Sequence, residues 1–159
     1  MTGHLARYSF LFLLLLYCKI FSQSYPDYMV NYLLKSGIEN IINQEYDSAE
    51  KKFVRLDKEF PQLPLGKIFQ SAVLITKSVD LYENFDNERI VELIDSAKIQ
   101  SEELIEQDES NIWNHYFLAL SVGYYSYYKA LKGDLISAFT NGINAISEFE
   151  KCIEMDKNF

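Results

Sequence analysis

The chain has 159 residues, of which 48% are apolar, and carries 15 Lys and Arg against 23 Asp and Glu. That length supports one domain with a real core. With 6 Gly and 3 Pro it has too few turn residues for an all-β fold, so the composition favours helices. A formal charge of −8 repels phosphate backbones and acidic lipid heads, which argues against nucleic-acid binding.

The first 24 residues contain no Asp or Glu. Arg7 precedes the apolar run Phe10–Tyr17, and the small residues Ser22 and Ser24 follow it. A basic start, a short apolar core and small residues before a cut describe a secretory signal peptide, cleaved after Ser24. An uncleaved anchor is the rival reading. Stretched from Tyr8 to Cys18 the run reaches 11 residues, against the roughly 20 that span a bilayer, so no integral membrane span is expected. Bulky Tyr17 argues against lipid attachment at Cys18. Removal of residues 1–24 takes away Arg7 and Lys19 and leaves 13 cationic against 23 anionic residues, a formal charge of −10. Cys152 is then the only cysteine, so no internal disulfide can form.

After Pro26, suited to a helix start, apolar residues recur at helical spacing from Met29 through Leu33 and Leu34 to Ile41 and Ile42. A break at Asn43-Gln44-Glu45 follows. Asp47 with Glu50 three residues on resembles a capping box, and Ala49, Phe53 and Leu56 mark the inner face of a second helix. Pro61-Gln62-Leu63-Pro64 stops it. A third helix is predicted from Leu65 to Tyr82, and a fourth from about Glu88 to Gln107, capped by Asp86 or Asn87. The fifth runs from Ile112 to Lys132 and closes on Gly133. Asp134 caps a sixth that reaches about Asp156. The expected fold is all-α: residues 25–159 form three antiparallel hairpins, at about 26–60, 65–107 and 111–156, stacked as a right-handed solenoid.

The hairpins repeat in sequence. Ala49, Ala97 and Ala145 recur 48 residues apart, and the same register aligns Phe53 with Ser101 and Phe149, and Leu56 with Leu104 and Cys152. A small residue lets two helix backbones approach, and an aromatic group four residues on covers the same face. Such repetition marks a solenoid, whose hairpins bury their apolar faces only by stacking. The sixth helix carries Leu135, Ile136, Phe139, Ile143, Ile146, Phe149 and Ile153, more than one face needs. Further repeats, the domain then being incomplete at its C-terminus, or a second copy packed end to end are expected to cover it.

Gly37, Tyr46-Asp47, Ala49, Phe53 and Pro61 stand at the spacings of the tetratricopeptide repeat, which residues 30–63 resemble well. In the third hairpin Trp113 stands at the family's large first-helix position, and Glu154-Met155-Asp156 resembles its exit. Residues 65–159 match only in part, because their 48-residue spacing exceeds the family's 34 and implies later second helices about two turns longer. The resemblance implies packing roles for Gly37, Tyr46, Ala49, Phe53 and Pro61, and a protein or peptide partner. The register adds Ala97, Ala145 and Phe149 to the packing set.

Candidate chemistry is sparse. His115 is the only histidine beyond the leader, and it lacks companions for a metal site; a helix-surface histidine is expected. Cys152 lacks a base and occupies a position held elsewhere by leucine. The carboxylates Glu102, Glu103, Glu106, Asp108 and Glu109 lack the glycine of a calcium loop and read as a solvated helix end. Glycine-rich phosphate loops, Gly-x-Ser-x-Gly elbows and Asn-x-Ser/Thr sequons are absent. No catalysis, metal or cofactor is expected.

The segment Trp113–Leu131 is dense in aromatic groups around its whole circumference. A helix apolar all round is buried on two sides, which makes core the first reading. The functional reading gives Tyr116, Tyr124, Tyr125, Tyr127 and Tyr128 to a partner-gripping groove, since tyrosine offers contact area and a hydroxyl at low entropy cost. The function expected is an exported protein–protein scaffold in a bacterial periplasm, on an outer membrane or outside the cell. The alternative is a non-catalytic repeat module of a larger envelope enzyme or transport assembly.

Overall fold

The structure, a computed structural model, describes residues 24–159. The leader and the Cys18 reading therefore fall outside the described residues, except for Ser24. Six helices follow in chain order: α1 (Tyr28–Ile42), α2 (Tyr46–Glu59), α3 (Leu65–Asp80), α4 (Asn87–Gln107), α5 (Ile112–Leu131) and α6 (Leu135–Met155). No strand occurs among the described residues. Each helix packs on the next in sequence, α3 also touches α5, and the α5–α6 pair is the most extensive. No described helix is long and apolar enough to cross a membrane.

The helix ends repeat with the hairpins. The first helix of each pair stops at a left-handed residue: Gln44 (φ 60°), Tyr82 (φ 55°) and Gly133 (φ 77°). Around each, the chain closes in a Schellman motif. Glu45 N–H donates to the Asn40 carbonyl at 2.8 Å, Glu83 N–H to Ser78 at 2.9 Å and Asp134 N–H to Lys129 at 3.0 Å. The second helix of each pair instead stops without a left-handed residue, at Phe60 (φ −128°) and at the extended Asp108 (φ −152°) and Asp156 (φ −145°). Those three stand in the 48-residue register. Helices α4 and α6, at 21 residues each, exceed the 14 of α2 by about two turns.

Aspartate and asparagine start four of the helices. Asp27, Asp86, Asn111 and Asp134 accept from the backbone N–H of Val30, Arg89, Trp113 and Ser137 respectively, which satisfies donors that a helix start leaves orphaned. The capping box at Asp47–Glu50 is corrected. Helix α2 begins at Tyr46, the Glu45 side chain makes no cap bond, and Glu50 instead takes Arg89 of α4 at 2.6 Å. The left-handed Gln44 turns the chain so sharply that the Glu45 carbonyl already receives Ser48 and Ala49. Helix α3 likewise ends two residues before the predicted Tyr82, which is the left-handed residue of its exit.

Val30, Leu33, Phe53, Leu56, Leu65, Ile68, Ala97 and Phe117 form a main core that joins α1 through α5. A second cluster, Ile75, Ile90, Ile94 and Tyr128, ties α3, α4 and α5. Burial of each such large side chain stabilises by about 1.5–3 kcal/mol. Ala49, Ala97 and Ala145 are all buried, as are Phe53 and Ser101, while Phe149 is half-buried. Gly37 and Tyr46 are buried as well, and Pro61 is exposed after α2.

Candidate binding groove

The first helices of the three hairpins lie along one concavity of about 400 Å³. From α1 come Asn31, Leu34, Lys35, Ile38 and Glu39, a stripe at helical spacing. Leu65 and Phe69 of α3 form part of the floor, and Trp113, Tyr116 and Phe117 of α5 form the far wall. The lining is therefore mainly apolar, with Asn31, Lys35 and Glu39 as polar handles.

Two segments outside the helices complete the aromatic wall. Tyr25 stands edge-on to Trp113 at 5.2 Å between ring centroids and lies 5.9 Å from Phe117. Its carbonyl accepts from the Asn31 side chain. Phe159 lies against the same wall, 5.1 Å from Trp113 and 5.3 Å from Tyr116. Neither residue belongs to a periodic segment, so helical spacing gives no hint of them.

The five tyrosines do not share this groove, which corrects that expectation. At 100° per residue, neighbours on one helix point different ways. Tyr116 lines the groove. Tyr124 and Tyr127 instead border a shallow depression of about 210 Å³ with Gly123 and Phe149. Tyr125 packs on the second core cluster under Lys129. Tyr128 is 4% exposed, donates to the Asn87 side chain and meets the Phe85 ring edge-on. Only Tyr127, at 47%, is well exposed. Burial pushes the hydroxyl pKa values of Tyr116, Tyr124 and Tyr128 above the usual value, so all three are neutral hydrogen-bonding groups near pH 7.

His115 is 4% exposed, not on the helix surface. Its burial is tolerated because both ring nitrogens lie within reach of a polar partner. Nδ1 lies 2.8 Å from Glu148 Oε2, and Nε2 lies 3.0 Å from the Glu109 carbonyl. Glu148 also binds Lys151 at 2.7 Å. Burial pushes the Glu148 carboxyl up, but the Lys151 and His115 bonds outweigh it and hold the pKa below the usual range. The Cys152 thiol, buried and close to Glu148, is pushed up to about 11. Such a thiol stays protonated and is a poor nucleophile. The cluster pins the Asp108–Asn111 turn to α5 and α6. The five carboxylates of the α4 end are exposed, and no described cluster of His, Cys, Asp and Glu could hold a metal.

No protein-family model, no curated protein and no solved structure matches this chain.

Proposed function

We propose that the chain is an exported tetratricopeptide-like scaffold that holds a partner protein in the groove between α1, α3 and α5. One observation carries this reading: the first helices of three successive hairpins line a single apolar concavity with polar handles at Asn31, Lys35 and Glu39. An aromatic wall of Trp113, Tyr116 and Phe117 offers area at low entropy cost, and such anchors dominate binding energy. The repeated helix ends and the 48-residue register support a solenoid, in which each hairpin lends one helix to a common inner face. The leader-like residues 1–24 support export. The occupant would be an extended or helical peptide segment of a protein, with apolar side chains for the floor.

Site-specific photo-cross-linking in the source cell tests it. A photoreactive residue at Ile38, in the groove, should yield a discrete protein adduct. The same group at exposed Val54 of α2, which does not line the groove, should not. Identical adducts from both positions, or none from Ile38, would defeat the proposal.

A further inference from the structure

The other unexplained surface is the outer side of α6. Leu135, Ile136, Phe139, Ile143, Ile146 and Ile153 are exposed there, from 50% for Ile143 to 84% for Ile136. The opposite side, with Ala138, Ala145 and Cys152, is the buried one. From Ile136 the exposed residues follow alternating steps of three and four, through Phe139, Ile143, Ile146 and Glu150 to Ile153. That is a coiled-coil seam, the pattern by which one straight helix meets another along its length. At about 150–200 Å² for a whole large side chain, the six expose on the order of 600–750 Å². A typical monomer's largest apolar patch is about 300–600 Å², and one side of a standard protein interface is about 800 Å².

We infer that this seam pairs with the same seam of a second copy, the two α6 helices running antiparallel about a twofold axis. The stripe matches itself when reversed, which fits a second copy, and charge selects the direction. Glu150 is the one ionisable residue in the stripe; Thr140, Gly142 and Ser147 flank it without charge, and Glu154 is an exposed acid at its end. A parallel pair would set Glu150 against Glu150 of the partner subunit. Antiparallel pairing about the middle of α6 sets Ile136 against Ile153 of the partner subunit and Ile143 against Ile146 of the partner subunit. Glu150 then lies beside Phe139 of the partner subunit, its stem on the ring and its carboxylate at the rim. The chain's strong net negative charge opposes association elsewhere on the surface, whereas the middle of the seam, from Ile136 to Ser147, carries no charge. Among the described helices α6 packs extensively only on α5, which leaves this side clear of the groove.

Sedimentation analysis of the purified chain tests the pairing, since interfaces of this size hold at micromolar concentrations or below. A dimer is expected at about 100 μM, and Ile146→Glu should make it a monomer of unchanged helicity. Paired cysteines test the direction. Mild oxidation should link Thr140→Cys/Ser147→Cys chains into covalent dimers, while Thr140→Cys alone should stay unlinked. A monomeric parent chain, a dimer that survives Ile146→Glu, or efficient linking through Thr140→Cys alone would each overturn the proposal.

Discussion

Gly37 of α1 faces the ring of Phe53 of α2 so closely that a Cβ on the glycine would lie 2.4 Å from Phe53 Cζ. The first hairpin is closed at this point by an aromatic ring seated where a side chain is missing. Gly66 meets α2 at its backbone, because its Cβ would fall 2.5 Å from the Asp57 backbone nitrogen. A ring end can tilt, whereas a helix backbone has to move as a whole. Gly66→Ala is therefore expected to cost about 2–3 kcal/mol, and Gly37→Ala about 1 kcal/mol, in overpacking net of the helix propensity gained. Urea unfolding of both variants checks the order.

The three register alanines make a related prediction. Ala97 is fully buried in the main core cluster, and Ala97→Leu should overpack it by about 1–3 kcal/mol. Thermal melting measures this, and an unchanged melting curve would count against the 48-residue register.

Tyr46 is the alkaline sensor of the first hairpin. Its hydroxyl donates to Asp80, and that bond, then burial and the Asp80 charge, push its pKa up from 10.0 to about 12. A raised folded-state value means its stabilisation is complete below pH 10 and is lost as pH rises toward 12. Tyr46→Phe should lower stability at pH 7 and flatten the alkaline limb in part, the other buried tyrosines supplying the rest. Melting temperatures followed from pH 8 to 12 test this.

Glu148 sets the acid limb with the opposite sign. Its folded-state pKa lies below the usual glutamate value, so its contribution is complete above that value and is lost as pH falls through the folded one. Glu148→Gln should make melting less sensitive to acid. His115→Ala should destabilise more at neutral pH, since it leaves a carboxylate and the Glu109 carbonyl without their buried partner.

The helices were readable because their punctuation is local. Asp86, Asp134, Gly133 and Pro61 act on their own backbone or the next turn, and the structure uses each at its expected place. The start of α2 was misread because Gln44, a residue with no left-handed signature, makes the turn that fixes it. His115 and the shared groove of five α5 tyrosines differ from the structure for another reason. Periodicity tells which residues share a face, but α5 has neighbours on several sides, and only packing decides what each side meets. The groove drew on Tyr25, and its aromatic wall is backed by Phe159, both outside every periodic segment. Its α1 wall is an ordinary amphipathic stripe until α3 and α5 are set beside it.

The central claim is that the groove around Trp113 is the binding surface. Its most direct test is the affinity of the cross-linked partner, once purified, for the parent chain and two variants. Trp113→Ala removes a wall residue, and Ile38→Glu places a charge at the groove's partly exposed edge without touching the core. Each should weaken binding at least about tenfold, as loss of an interface anchor does, with the circular dichroism of Ile38→Glu unchanged. Equal affinity for the parent chain and Ile38→Glu would contradict the account.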